Sequence, residues 1–445
     1  MPMKFFLTAN KEYRITFLIS IFISIVFIYY KIPWGLMDDY KWIVLTEEFI
    51  TNPINKYIEF QKMLISKGTL QPFIQLQLVF QYLIGIYINP LFTHIQNIFI
   101  IFFSHLFLYK LLKNKIQIKY SHSLSVFMIF PYTFDMFLLP SLQEKFTIPL
   151  FALLLHLLEK NKDSDKFLFV FLLSLSIPLI KLQGSVFVLF IFFYTLLNKT
   201  KKSLFSLLGF ALAILVQAYI LFFGDKGYYI VDNSFSQILS NLLSPQNLFF
   251  LLITIISLFF AIIEKNKEAK FYIFGLVFSG LALQFILINW ENYGYLFSFY
   301  SFFLAFLIPY CGNFLLEKIN IQIFFKLTTY SLIGLMLLSS FFFFLPRIER
   351  WSDLNSVYEN LDEIYFENEI YYCGSEGVLT FNNLNNSLTE VKFAGNFEEI
   401  NEAEFYFIKD DLQCNYLENN LNDKCEQNNG YNSKYRRVEI IKYSC

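Results

Sequence analysis

The chain has 445 residues, 56% of them hydrophobic, with 58 Phe against 16 Gly and 12 Pro and a formal net charge of -1. That composition excludes an ordinary soluble enzyme, and without a basic stripe interleaved with aromatics nucleic acid is set aside as a partner. Apolar runs of about 15–20 residues recur up to residue 345, each able to cross or nearly cross a hydrocarbon core of about 30 Å. They are uninterrupted rather than alternating, so they read as helices and not as barrel strands.

In chain order, the first run, Ile15 to Tyr30, follows Lys4, Lys11 and Arg14 and continues into YYKIPW with no small-residue cleavage pattern. It reads as a retained anchor. At its far end stands WGLMDDYKW, with Asp38 and Asp39 between Trp34 and Trp42. A long first outer loop then runs over 31–92. Within it PFIQLQLVFQYLIGIYIN carries Gln75, Gln77 and Gln81, which favours an interfacial amphipathic helix over a crossing. Further spans are expected near 93–112, 122–139, 146–158, 167–180, 183–197, 204–223, 247–263, 271–288, 295–315 and 327–345.

The lysine-rich stretches YKLLKNKIQIK, EKNKDSDK, NKTKKS and EKNKEAK fall on alternate sides of these spans and belong in the cytoplasm by the positive-inside rule. The N-terminus is then cytoplasmic, and about eleven crossings leave the C-terminal part outside. The predicted fold class is an all-α polytopic membrane protein of about eleven transmembrane helices over residues 1–346, followed by a small extracytoplasmic α/β domain over 347–445. Heavy use of Phe, Ile, Lys and Asn associates with an AT-rich bacterial coding sequence, hence a bacterial cytoplasmic (inner) membrane.

Charged groups beside spans carry the functional reading. Asp38, Asp39, Asp135, Glu144, Lys145, Lys181 and Glu291 all fall near predicted outer ends, and none falls mid-membrane. A proton-coupled carrier would keep carboxylates near the midplane within repeated halves. The pattern here points to chemistry at the outer membrane–water boundary. On an interfacial helix Asp38 would lie over Trp34 and Trp42, partly dry and suited to act as a base. The alternative is a solvated stop signal after the first helix.

Glu144, between Pro140 and Pro149, also fits a helix start, where a carboxylate complements the dipole. Lys181 beside Pro178 also fits a snorkelling side chain. Arg347 and Arg350, just after the last span, also fit interface anchors, and Glu291 with Tyr293 an aromatic belt.

The order of features resembles the GT-C superfamily of integral-membrane glycosyltransferases, of the aminoarabinose transferase and protein O-mannosyltransferase type. The resemblance rests on the anchor helix, Asp38 and Asp39, the stretch SKGTLQPFIQLQLVFQYLIG with Gly68, Pro72 and Gly85, and a second helix ending in LYKLLKNK. PSLQEKFTIPL with Glu144 and PLIKLQG with Lys181 are similar to the family's later outer-loop acid and lysine-bearing junction. The resemblance implies inverting transfer of a sugar from a polyprenyl-phosphate donor to an extracytoplasmic acceptor.

Asp38 is the expected base, Asp39 orients the acceptor or a metal, and Glu144 is a further acid. Cations are what a phosphate leaving group needs; Lys181, Lys145, Arg347 and Arg350 are the candidates. The second loop lacks the paired acid of the oligosaccharyltransferases, a departure that counts against metal dependence; no cofactor is implied with certainty, and a divalent metal is an option. The alternatives are a polymerase or ligase using diphosphate-linked glycans and, in another class, a flippase or carrier of a lipid-linked molecule.

No Walker loop, G-x-G-x-x-G or H-E-x-x-H occurs, and His94, His105, His122 and His156 lack zinc-like spacing. Past residue 350, NEIYYCG, EVKF, EFYFIKD and RRVEIIKYS read as strands, and VYENLDEI and CNYLENNLNDKC as helices. Cys373, Cys414, Cys425 and Cys445 fit two disulfides in any of three connectivities. Cys414 and Cys425, bracketing one helix, could close a local loop. No C-x-x-C supports a metal there.

Overall fold

The computed structural model describes residues 11–29, 49–66, 68–87, 92–130, 133, 144–160, 166–223, 236, 240, 243–287, 298–319, scattered positions in 330–345, 369–373, 391–393, 404–409, 414–432 and 439–445. These are mostly helical, with a small sheet near the C-terminus. The chain divides into two compact units. One comprises Met1–Phe22, Ile54–Gln77 and Gln96–Phe344, the other Ile23–Pro53, Leu78–Ile95 and Leu345–Cys445.

The helices in order are α1 (Lys11–Tyr29), α2 (Pro53–Ser66), α3 (Ile74–Tyr87), α4 (Phe92–Leu112), α5 (Tyr120–Ile129), α6 (Glu144–Glu159), α7 (Phe167–Ile180), α8 (Phe187–Asn198), α9 (Lys201–Phe223), α10 (Pro245–Ile263), α11 (Lys267–Leu287) and α12 (Ser298–Ile319). Among the described residues one helix, α9, is long and apolar enough to cross a membrane, and several apolar helices are shorter.

The outward faces of α9 and α10 are apolar, and their buried faces mix Phe210, Ile220, Phe250 and Phe260 with small and polar residues. In α9 the exposed stripe is Leu204, Leu208, Leu212, Leu215, Tyr219 and Phe222, while Ser203, Ser206, Gly209, Ala213 and Gln217 are buried. In α10 Leu248, Leu252, Ile255, Phe259 and Ile262 are exposed, while Asn247, Thr254, Ser257 and Ala261 are buried. A water-facing helix puts its apolar stripe inward. Small and hydroxyl residues inward with aliphatic ones outward is the pattern of helices packed in an apolar solvent.

The inward hydroxyls are satisfied locally, with Thr254 Oγ1 donating to Phe250 O at 3.1 Å and Ser257 Oγ to Ile253 O at 2.7 Å. Between α7 and α9, Ser174 and Ser206 share a hydrogen bond of 2.8 Å. Gly209 sits at the same crossing, where a Cβ would stand 2.6 Å from Phe171 O and 3.0 Å from Ser174 Cβ. Only glycine permits that approach.

The four lysine-rich stretches meet at one end of the bundle. Lys115 of the first pairs with Glu268 of the fourth and lies 3.7 Å from Glu159 of the second. Lys202 of the third donates to Lys160 O at 3.3 Å, and Lys113 lies 3.8 Å from Glu12 of α1. Tyr272 OH donates to Glu159, and Tyr310 OH to Glu264 at 3.3 Å. Groups scattered along the chain thus gather in one cluster at this end, the lysine ring, through ion pairs and, for Lys202, a backbone carbonyl.

Near the C-terminus strands β1 (Glu369–Cys373), β2 (Val391–Phe393), β3 (Glu404–Lys409), β4 (Glu426–Asn432) and β5 (Glu439–Ser444) form one sheet in the order β2-β1-β3-β5-β4. β1 runs parallel to β2 and β3, and β5 antiparallel to β3 and β4. Period-2 alternation puts Phe405, Phe407, Ile441 and Tyr443 on one face, packed against Leu417 and Leu421 of α13 (Asn415–Asn422). Lys409, on that face, is buried and pairs with Glu418 of α13. β4 was not expected. Its sequence, EQNNGYN, has no apolar alternation because it is an edge strand paired on one side only. VYENLDEI lies outside the described residues.

The disulfides are Cys373–Cys414 and Cys425–Cys445, with Cα separations of 5.8 and 4.3 Å. This corrects the expectation of a local loop between Cys414 and Cys425. α13, between them, is roughly 12 Å long at helical rise, beyond the about 7 Å a disulfide spans. Each instead ties an end of α13 to the sheet. The Cys373–Cys414 bridge closes 41 residues, and its loss should cost about 2–5 kcal/mol by loop-closure entropy. A Cys373→Ala, Cys414→Ala variant should lose amide protection in β3 at correspondingly lower denaturant, with the helical bundle unaffected.

Candidate functional site

Asp38, Asp39, Arg347 and Arg350 lie outside the described residues, as do Asp135 and Glu291. Glu144 and Lys145 are the first two residues of α6. Lys181 follows the last residue of α7 and is half-buried, with extended backbone at φ -156° and ψ 140°. There the helix stops, and a 3-10 turn, Leu182–Val186, begins with Gly184 N donating to Lys181 O at 2.8 Å. Lys181 therefore stands where the α7 carbonyls leave partial negative charge, beside a turn that redirects the chain into α8.

The second landmark is the turn between α2 and α3. α2 ends in a Schellman arrangement. Gly68 N donates to Ile65 O at 2.9 Å and Thr69 N to Leu64 O at 3.0 Å, and Gly68 takes φ 82°. A Cβ would oppose that left-handed conformation. Gln61 Nε2 donates to Gln71 O at 3.1 Å and to Gln75 Oε1 at 3.2 Å, bracing the turn from within. Tyr57 OH reaches Pro72 O at 3.4 Å.

Gln217 of α9 brings the two landmarks together. Its Oε1 accepts from Leu70 N at 3.1 Å, and its Nε2 donates to Leu70 O at 2.8 Å and to Pro178 O at 3.3 Å. Both amide protons and one oxygen lone pair are thereby used. Pro178 O is one of the last carbonyls of α7, which the end of the helix leaves without an intrahelical donor. One side chain therefore joins the turn holding Gly68 and Pro72 to the break holding Pro178 and Lys181. Gln217 lies about 24 Å along α9 from Lys201 at helical rise, far from the lysine ring.

Around this junction Gln61 Oε1, Gln183 Oε1 and Ser185 Oγ are buried with no hydrogen-bond partner. Buried acceptors of this kind are costly unless a donor reaches them. Gln183 and Ser185 lie in the 3-10 turn directly after Lys181. Among the described residues no group of three or more His, Cys, Asp or Glu could hold a metal ion. A divalent ion would draw on Asp38 and Asp39, which are not described.

Reading only ionisable groups missed Gln217, although a primary amide within an apolar run is itself expensive and marks a position worth examining. His105, one of the four histidines without zinc-like spacing, is part of the packed core. It is fully buried, stacked 5.1 Å from Phe127, with Nε2 at 2.9 Å from Ser123 Oγ. No protein-family model, curated protein or solved structure matches this chain.

Proposed function

We propose that the chain is a polytopic glycosyltransferase of about eleven transmembrane helices that moves a sugar from polyprenyl phosphate to an extracytoplasmic glycan, lipid or protein acceptor. In this reading the lysine ring faces the cytoplasm and the Gln217 junction faces the opposite side. The apolar outward faces of α9 and α10 support a lipid surrounding. The observation that carries the reading is the Gln217 junction. It joins two of the segments, Gly68–Pro72 and Pro178–Lys181, on which the resemblance to the GT-C superfamily rests away from the acidic pair.

The chemistry is a single displacement with inversion. The acceptor oxygen forms a bond to the anomeric carbon as the bond from that carbon to the phosphate oxygen breaks, and the electron pair leaves with the phosphate. Asp38 takes the acceptor proton, Asp39 orients the acceptor, and Glu144 is a further acid at the same boundary. Lys181, Lys145, Arg347 and Arg350 receive the phosphate charge. A hydrophilic path for a carrier would need charged or water-lined positions through the spans, which the sequence does not supply.

The test is incubation of the purified, lipid-reconstituted protein with polyprenyl-phosphate sugars of different head groups and a mixed envelope acceptor extract. Release of polyprenyl phosphate coupled to labelled acceptor supports the reading. Donors left intact across the series, with the same protein moving them between leaflets, would replace it with the carrier.

A further inference from the structure

We infer that Gln217 is a positioning residue, a latch that holds the α2–α3 turn in one register against the Lys181 break. The functional part of this rests on the proposed transferase reading; the latch itself does not. Its partners are 147 and 39 residues away in sequence, and every bond runs to backbone. The latch therefore specifies where two chain segments stand and tolerates changes in their side chains.

The turn is already stiff from within through Gly68, Gln61 and Tyr57. What Gln217 adds is its placement relative to α7. Removing the amide leaves Leu70 N, Leu70 O and Pro178 O without that partner, so both segments should loosen together. A glutamate would still accept from Leu70 N and, in the neutral form that burial against two carbonyls imposes, could donate to only one of them. Gln217→Glu should then fall between the wild type and Gln217→Leu.

Hydrogen–deuterium exchange of full-length protein in lipid nanodiscs reads the latch directly. In Gln217→Leu, exchange should rise at least tenfold over residues 69–74 and over 181–184, with the lysine end of α9 and the C-terminal sheet unchanged. Exchange that rises in neither segment, in one alone or evenly along the chain overturns the latch. The positioning role is read by kinetics. Gln217→Leu should raise KM for the lipid-linked donor at least tenfold while kcat stays within about threefold. Loosened segments with unchanged KM, or a fall in kcat alone, overturn that role. An inactive wild-type protein sinks the transferase reading and the positioning role with it, while the exchange pattern still decides the latch.

Discussion

Gly209→Leu is expected to abolish accumulation of folded protein. The Cβ alone would stand 2.6 Å from Phe171 O, a backbone atom that cannot swing aside, and the remaining side-chain carbons would enter the Ser174–Ser206 contact. Overpacking a tight crossing costs typically 1–3 kcal/mol, and separating α7 from α9 also breaks the Gln217 bond to Pro178. A combined loss above about 3 kcal/mol is a large share of a marginal stability. Gly209→Ala should be milder, at about 1–3 kcal/mol. Size-exclusion profiles of a fluorescent fusion and its thermal transition check both. A monodisperse Gly209→Leu protein with an unshifted transition would show that the α7–α9 crossing is not as close as described.

If the proposed transferase reading holds, with Asp38 as its base, Asp38→Asn should lower turnover at least a hundredfold, the usual range for removing a general base, while the protein still inserts and accumulates. The amide keeps the shape of the carboxylate but cannot take a proton from the acceptor. KM for the donor should change little, because the leaving phosphate is met by cations and not by this group. Asp39→Asn should act more on acceptor KM. Single-turnover transfer with saturating donor separates the two. Near-normal turnover in Asp38→Asn would remove Asp38 from the chemistry and leave the pair as a solvated stop after the first helix.

How much of this could be read from the residues varies by element. The uninterrupted apolar runs at 204–223 and 247–263 coincide with α9 and α10 within a few residues, because nearly every position there is hydrophobic and the run itself marks the helix. The four lysine stretches were grouped on one side by charge alone, and Lys115, Lys202, Glu159 and Glu268 do meet at one end. Which way the faces turn was not legible, since the outward stripe of α9 is no less hydrophobic than a soluble core. The register of the α2–α3 turn against α7 was equally hidden. It depends on Gln217, distant in sequence and without periodicity. In the C-terminal sheet β1, β3 and β5 announce themselves by alternation, whereas β4 is polar and exists only because β5 offers it a ladder.

The proposed function requires the acidic pair on one side of a membrane and the lysine ring on the other. Single cysteines placed by Asp39→Cys and Lys201→Cys, probed in intact cells with a membrane-impermeant maleimide, test it most directly. The four C-terminal cysteines are paired in disulfides and Cys311 is buried, so the background is low. The expected result is labelling of Asp39→Cys in intact cells and of Lys201→Cys only after permeabilisation. The reverse pattern, or both positions labelled on the same side, contradicts it.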